Sequence, residues 1–84
     1  MASKVVIVPR AQEDFLSLPK IVQSRIAVAM RALSEFPIIR TGIKKLKPPF
    51  DGYRKRVGDY RILFDFSEDT VHIHRIIDRK DAYR

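Results

Sequence analysis

One stretch of nine residues decides the fold of this chain: Tyr53-Arg54-Lys55-Arg56-Val57-Gly58-Asp59-Tyr60-Arg61. Its glycine–aspartate pair is a turn signal, and the run from 60 to 66 that follows has the alternation of a second strand. The stretch therefore predicts a β-hairpin. Because side chains alternate along a strand, Arg54 and Arg56 are expected on one face of the sheet, where Arg61, just past the turn, can join them. The opposite face takes Tyr53, Lys55 and Val57.

Two further strands are predicted around this hairpin. A polar turn at Ser67–Thr70 leads into the run Val71–Ile77, and near the N-terminus Lys4–Val8 is a β-branched run ended by Pro9. The apolar residues expected on one face of the later strand are Val71, Ile73 and Ile77. The successive hairpins predict an antiparallel meander with one apolar face.

Two helices are predicted between the first strand and the hairpin. Pro9–Leu18 has apolar residues at helical spacing, with Glu13 and Asp14 in its first turn. Lys20–Phe36 is more strongly periodic, and its buried stripe would be Val22, Ile26, Ala29, Met30 and Leu33. The segment from 38 to 52 is expected to be irregular. These patterns predict one α+β domain, 1–84, with two N-terminal helices on one face of an antiparallel or mixed sheet of about four strands.

Positive charge is concentrated in one part of the chain. The net charge is +7, and +6 of it falls between Arg40 and Arg61, a segment with eight cations and only two acids, Asp51 and Asp59. A local field of one sign favours a polyanionic partner, which can be RNA, DNA or an acidic protein. The exposed lysines expected to contact RNA or the ribosome are Lys44, Lys45 and Lys47.

Composition excludes several classes of protein. The chain has no cysteine, so it has neither disulfides nor thiolate metal sites. No apolar run approaches the roughly 20 residues of a membrane span, and the N-terminal apolar patch is shorter than a signal-peptide core. We therefore expect a cytoplasmic protein with no membrane association. No glycine-rich phosphate loop occurs, and we expect no cofactor or metal.

Five residues form the candidate catalytic set: Arg54, Arg56, Arg61, Arg79 and Tyr83. Arginines pair with phosphates and a tyrosine stacks on a base, although charged edge strands and frayed termini are the ordinary alternatives. His72 and His74 share one strand face near Asp65, but two histidines need a third ligand to hold a metal, so we interpret them as ordinary sheet residues. If the protein is a nuclease, these residues predict a metal-free enzyme that uses the RNA 2′-hydroxyl as nucleophile. The residue that would accept the 2′ proton is not assigned.

Nearly the whole chain resembles toxins of the RelE/ParE superfamily of bacterial and archaeal type II toxin–antitoxin systems. The hairpin stretch carries the resemblance, together with Ala11…Asp14-Phe15…Leu18-Pro19, Leu46-Lys47 and Ile76-Ile77-Asp78-Arg79-Lys80-Asp81-Ala82-Tyr83. The resemblance implies two N-terminal helices packed on a small sheet. It also implies that the five candidate residues form the catalytic face of a RelE-like enzyme, which cleaves mRNA in the ribosomal A site and leaves a 2′,3′-cyclic phosphate.

The resemblance leaves the target open between two branches. Arg54 and Arg56 stand where some RelE members have lysines, one of which has been the candidate base. The ParE branch shares the fold but poisons DNA gyrase and generally lacks the full basic-plus-tyrosine set, so retention of that set favours RelE. The alternatives are a ParE-like gyrase inhibitor and a catalytically inactive relative that only binds its antitoxin. The implied partners are a cognate antitoxin, the ribosome and mRNA.

Overall fold

Two helices and a five-stranded sheet form the fold in the computed structural model, which describes residues 3–49 and 51–80. The elements are β1 (Lys4–Ile7), α1 (Pro9–Leu16), α2 (Lys20–Ala32) with a 3₁₀ turn (Leu33–Glu35), β2 (Ile43–Lys45), β3 (Tyr53–Val57), β4 (Tyr60–Ser67) and β5 (Thr70–Asp78). Both helices begin at prolines, with Pro9 as the first residue of α1 and Pro19 as the cap of α2. A proline nitrogen carries no hydrogen, so proline at a helix start leaves no backbone N–H unpaired at that position.

The sheet has the strand order β1-β5-β4-β3-β2. β5, β4, β3 and β2 are antiparallel neighbours, whereas β1 pairs with β5 in parallel, so the sheet is mixed as expected. One strand was missed: β2 lies in the segment expected to be irregular. Its three residues are too few to show alternation, and its pairing with β3 defines it.

The predicted hairpin forms in the predicted register. Tyr53 pairs with Phe64 and Val57 with Tyr60, which leaves Gly58-Asp59 as a two-residue loop. Gly58 has a φ of +58°, a conformation that glycine adopts without the steric cost of a side chain. The helices and the buried side chains of β4 and β5 lie on the same face of the sheet as Tyr53. We call the other face, which carries Arg54 and Arg56, the open face.

A bulge in β5 corrects the prediction for Ile77. Leu63 pairs with Arg75 and Phe64 with Ile73, so His74 is an extra residue without a partner on β4. An extra residue reverses the alternation that follows it. Ile76, 3% exposed, therefore joins the core, and Ile77 pairs with Arg61 on the open face.

Asp14 joins α1 to the part of β5 that extends beyond β1. Its carboxylate accepts hydrogen bonds from Arg75 Nε at 2.7 Å and from the backbone N–H of Ile76 at 3.0 Å. The helix begins at Pro9, so Asp14 lies beyond its first turn. Asp14 therefore binds β5, whereas the sequence predicted that it would interact with the helix dipole. Burial tends to raise the pKa of Asp14, but these hydrogen bonds and the charges of Arg75 and Arg10 outweigh it and leave the pKa below its ordinary value.

Asp14→Asn is expected to lower the free energy of unfolding by about 1–3 kcal/mol at neutral pH, because charge-assisted hydrogen bonds are lost at a half-buried site. A carboxyl group with a lowered folded-state pKa stabilises above its unfolded pKa of about 4, and this contribution is lost as the pH falls further. Urea unfolding at several pH values measures the difference, which should shrink in acid. Glu13→Gln, at an exposed neighbour, should stay within about 0.5 kcal/mol of wild type. An equal loss in both variants would contradict the assignment.

Candidate nucleic-acid interface

Two pairs of like charges lie side by side on the open face. Lys44 of β2 is directly opposite Arg54 of β3, and Arg56 is directly opposite Arg61 of β4. Like charges at opposed positions repel and destabilise a sheet by about 0.2–1 kcal/mol per pair. Within residues 3–49 and 51–80, the guanidinium groups of Arg54 and Arg56 form no ion pair or hydrogen bond. The strands thus place four cations at adjacent backbone positions, with no carboxylate at the paired positions.

Arg61 differs from its neighbours because it is buried, with 4% of its surface exposed. Its Nη1 donates to the carbonyl oxygens of Tyr60 at 3.1 Å and Gly58 at 3.5 Å, so the side chain folds back on the hairpin turn. Its Nε has no hydrogen-bond partner in the described chain. Sequence alternation placed Arg61 on the correct face, but it could not reveal that the side chain turns toward its own loop.

Arg79 approaches the same turn from the end of β5. Its backbone N–H donates to the carbonyl of Asp59 at 2.7 Å, and its side chain is exposed. With Asp59, Asp78 and Lys80 it lines an open cleft of about 680 Å³. The structure therefore brings Arg79 next to the hairpin that carries Arg56 and Arg61. Tyr83, the last member of the predicted set, lies outside the described residues.

The three predicted lysines are exposed but do not share a surface. Lys44 is on the open face beside Arg54, whereas Lys45 pairs with Tyr53 and so takes the opposite side of this edge strand. Lys47 follows in the loop between β2 and β3. Lys55 also lies on the helix side, where its Nζ donates to the carbonyl of Thr41 at 3.2 Å. Of the three predicted lysines, only Lys44 lies beside Arg54 on the open face.

The fold and its basic face match known toxins. The family model described as "ParE toxin of type II toxin-antitoxin system, parDE" matches residues 5–83. The chain belongs to this toxin family. It is similar to Toxin RelE3 of Methanocaldococcus jannaschii, with 29% identity over 95% of this chain and 94% of that protein. Both RelE and ParE names thus occur among the matches.

Solved structures of toxin–antitoxin complexes resemble the toxin closely. The RelBE2 complex from Mycobacterium tuberculosis contains a chain that superposes with a TM-score of 0.82 at 25% identity, covering 94% of this toxin and 100% of that chain. The archaeal RelE–RelB complex from Pyrococcus horikoshii contains one with a TM-score of 0.77 at 27% identity, covering 98% and 100%. These matches confirm the predicted RelE-like fold and the superfamily.

On the open face of the toxin, hydrogen bonds join Asp65 to the two histidines interpreted above as ordinary sheet residues. Asp65 accepts hydrogen bonds from His72 Nδ1 at 3.1 Å and from His74 Nε2 at 2.6 Å. The sequence gives the spacing of the histidines, but their hydrogen bonds to Asp65 depend on the register and the bulge of β5.

No group of three or more metal-binding side chains in the described part of the chain has the geometry to hold an ion. No helix described here is long and apolar enough to cross a membrane.

Proposed function

We propose that this toxin is a ribosome-dependent endoribonuclease that cleaves mRNA in the A site without a metal. The observation that carries the proposal is the set of cations at paired backbone positions on the open face, with Lys44 opposite Arg54 and Arg56 opposite Arg61. Cations held at opposed positions repel, and a bound phosphate would relieve the repulsion. The target, mRNA on the ribosome, is what the RelE resemblance of the hairpin implies, and the similarity to Toxin RelE3 supports the RelE branch.

In the proposed reaction, the RNA 2′-oxygen attacks the adjacent phosphorus. The bond from 2′-oxygen to phosphorus forms and the bond from phosphorus to 5′-oxygen breaks, leaving a 2′,3′-cyclic phosphate and a 5′-hydroxyl. Arg54 and Arg56 bind the non-bridging oxygens, where negative charge grows in the transition state. Arginine stays protonated, so neither residue can accept the 2′ proton.

The other predicted catalytic residues take different parts in this proposal. Arg79 is exposed beside the hairpin turn and can contact a neighbouring phosphate of the mRNA. Arg61 is committed to the turn carbonyls, so it either holds the hairpin in shape or leaves those carbonyls when RNA binds. Tyr83 keeps its predicted role of stacking on a base.

A cognate antitoxin is the proposed protein partner. The matched structures are toxin–antitoxin complexes, and the toxin exposes apolar side chains on its helices that a partner could cover. Leu16 and Ile21 are each 74% exposed and Val28 is 60% exposed. An acidic antitoxin segment would complement the cations of the open face, which would block access of RNA.

Cleavage in a purified translation system tests the proposed function. We expect the toxin to cut ribosome-bound mRNA at the A-site codon, to leave free mRNA intact, and to lose activity when antitoxin is added. Arg79→Ala should reduce the cleavage rate by about tenfold or more, as expected for loss of one charge-assisted contact to the mRNA backbone. Arg10→Ala, an exposed arginine of α1, is the control. Full cleavage by Arg79→Ala would remove Arg79 from the site.

Inhibition of DNA gyrase is the second candidate, and two observations favour it. The matching family model is that of ParE, and burial of Arg61 withdraws one cation from the surface that would bind RNA. A supercoiling assay with purified gyrase distinguishes the two. Inhibited supercoiling without mRNA cleavage would establish the ParE-like activity. Absence of both activities, with antitoxin binding intact, would identify an inactive relative.

A further inference from the structure

The Asp65–His72–His74 cluster has the arrangement of an oriented imidazole pair. An ionised carboxylate can only accept hydrogen bonds, so His72 donates from Nδ1 and His74 donates from Nε2. His72 therefore keeps Nε2 free, and His74 keeps Nδ1 free, in the described structure. A carboxylate that fixes the tautomer of an imidazole and favours its protonated form is a recurrent device for proton transfer.

Both imidazoles are accessible to a substrate. The side chains of His72 and His74 are 35% and 49% exposed, and that of Asp65 is 44% exposed. β1 places Val6 directly opposite His72, and β4 places Asp65 there, so Asp65 is the charged group that the paired strands bring against this imidazole. The cluster is open toward solvent on the same face as Arg54.

On the open face, Asp65 lies diagonally across from Arg54 on the neighbouring strand. Arg54 pairs with Leu63, and Asp65 follows two residues later on β4, on the same face. Two residues of strand and one strand spacing put the Arg54 and Asp65 backbones about 8–9 Å apart. Gly52 has no side chain between them: a Cβ there would lie 3.7 Å from that of Asp65 and 2.6 Å from the Phe64 carbonyl oxygen. His72 lies opposite Asp65 and a further strand spacing away, so its backbone is about 12 Å from that of Arg54, a gap that an arginine, an imidazole and one phosphate between them can span.

We propose that His72 and His74 are the proton-transfer residues of the mRNA cleavage site, with Asp65 as the residue that positions them. This inference rests on the proposed function and fills the role that arginine cannot take. A neutral imidazole can accept a proton and a protonated imidazole can donate one, so this side chain can serve in either role. A metal-free cleavage needs one group of each kind.

The proton movements in this step are balanced. The neutral imidazole takes the proton of the 2′-hydroxyl as the 2′-oxygen bonds to phosphorus. The protonated imidazole gives its proton to the departing 5′-oxygen as the bond from phosphorus to that oxygen breaks. Arg54 binds the non-bridging oxygens throughout, and Asp65 stabilises whichever ring carries the charge. After product release, proton exchange with water through the shared carboxylate restores the starting forms.

Single-turnover cleavage on programmed ribosomes tests the pair. We expect His72→Ala and His74→Ala each to slow cleavage by about 10²-fold or more, the range of general acid–base catalysis. Each should remove one limb of a bell-shaped pH–rate profile, and added imidazole should restore part of the rate. Asp65→Asn should slow cleavage by about tenfold and alter the profile, whereas Glu68→Gln, an exposed acid at the β4–β5 turn, should change neither. Ribosome binding and thermal unfolding report whether each variant is folded.

The outcomes separate this inference from the function on which it rests. Wild-type rates in both histidine variants, with cleavage by the unaltered toxin intact, would overturn the inference and leave the nuclease standing. Slow cleavage that imidazole does not restore, with an unchanged pH profile, would show a structural role and would equally overturn it. Failure of the unaltered toxin to cleave would refute the nuclease itself. Restored cleavage by imidazole would establish the pair.

Discussion

The double variant Arg54→Ala/Arg56→Ala is expected to lose at least about 10³-fold in the rate of ribosome-bound mRNA cleavage. Removing one preorganised donor from a developing anionic charge costs about 10²–10³ in rate, and these two arginines project from the same strand face. The measurement is single-turnover cleavage at saturating ribosomes, which separates the chemical step from binding. A basic variant at the same positions, Arg54→Lys/Arg56→Lys, should retain much more activity because the charge remains.

The same double variant is expected to be more stable than wild type. It removes the repulsion of Arg54 with Lys44, about 0.2–1 kcal/mol, whereas the guanidinium of Arg61 is already turned toward the loop carbonyls. Thermal unfolding therefore distinguishes lost chemistry from lost structure. Arg25→Ala, at an exposed arginine in the middle of α2, serves as the control and should change neither activity nor stability. A double variant that is less stable, or that still cleaves, would contradict a phosphate-binding role.

Phe36→Ala is expected to destabilise the toxin by about 3–5 kcal/mol, the usual cost of truncating a buried phenylalanine. Phe36 is 2% exposed and meets three aromatic rings edge-on, with centroids 4.9 Å away for Tyr53, 5.3 Å for Phe64 and 5.2 Å for Phe66. Its carbonyl also accepts a hydrogen bond from Ser3 Oγ. The one side chain thus joins the end of the helical layer to β3 and β4.

A loss of this size is a large share of the total stability, which is about 4–13 kcal/mol for a chain of this length. Thermal unfolding should show a midpoint lowered by at least about 12 °C. Where Phe36→Ala fails to fold, Phe36→Leu provides a measurable intermediate loss. Ile38→Ala, at a side chain that is 78% exposed, should stay within about 0.5 kcal/mol of wild type. Equal effects at positions 36 and 38 would refute the role of Phe36.

Local patterns predicted the parts of the fold that depend on neighbours in the chain. The helical stripe through Ile26 and Leu33 is buried as its spacing indicated, and the hairpin around Gly58 forms in the expected register. A period of 3.6 or 2 residues is set by backbone geometry, so it can be read from the chain alone. The two faces of β3, one with Arg54 and one with Tyr53, follow from the same rule.

Those local patterns do not predict contacts between distant parts of the chain. Phe36 seemed only to end a helix, yet it lies at the centre of the aromatic core. Asp14 meets Arg75 across 61 positions, and no periodicity connects residues so far apart. β2 is a strand because β3 lies beside it.

The hairpin stretch shows where the two kinds of information divide. Its residue order was enough to place Arg54, Arg56 and Arg61 on one face of a hairpin, because alternation and turn chemistry act over a few residues. Tertiary packing then turned Arg61 inward onto the loop carbonyls and, through the extra residue His74, carried two histidines to Asp65. Side-chain burial and register depend on what each strand meets in space, and neighbours along the chain do not specify that.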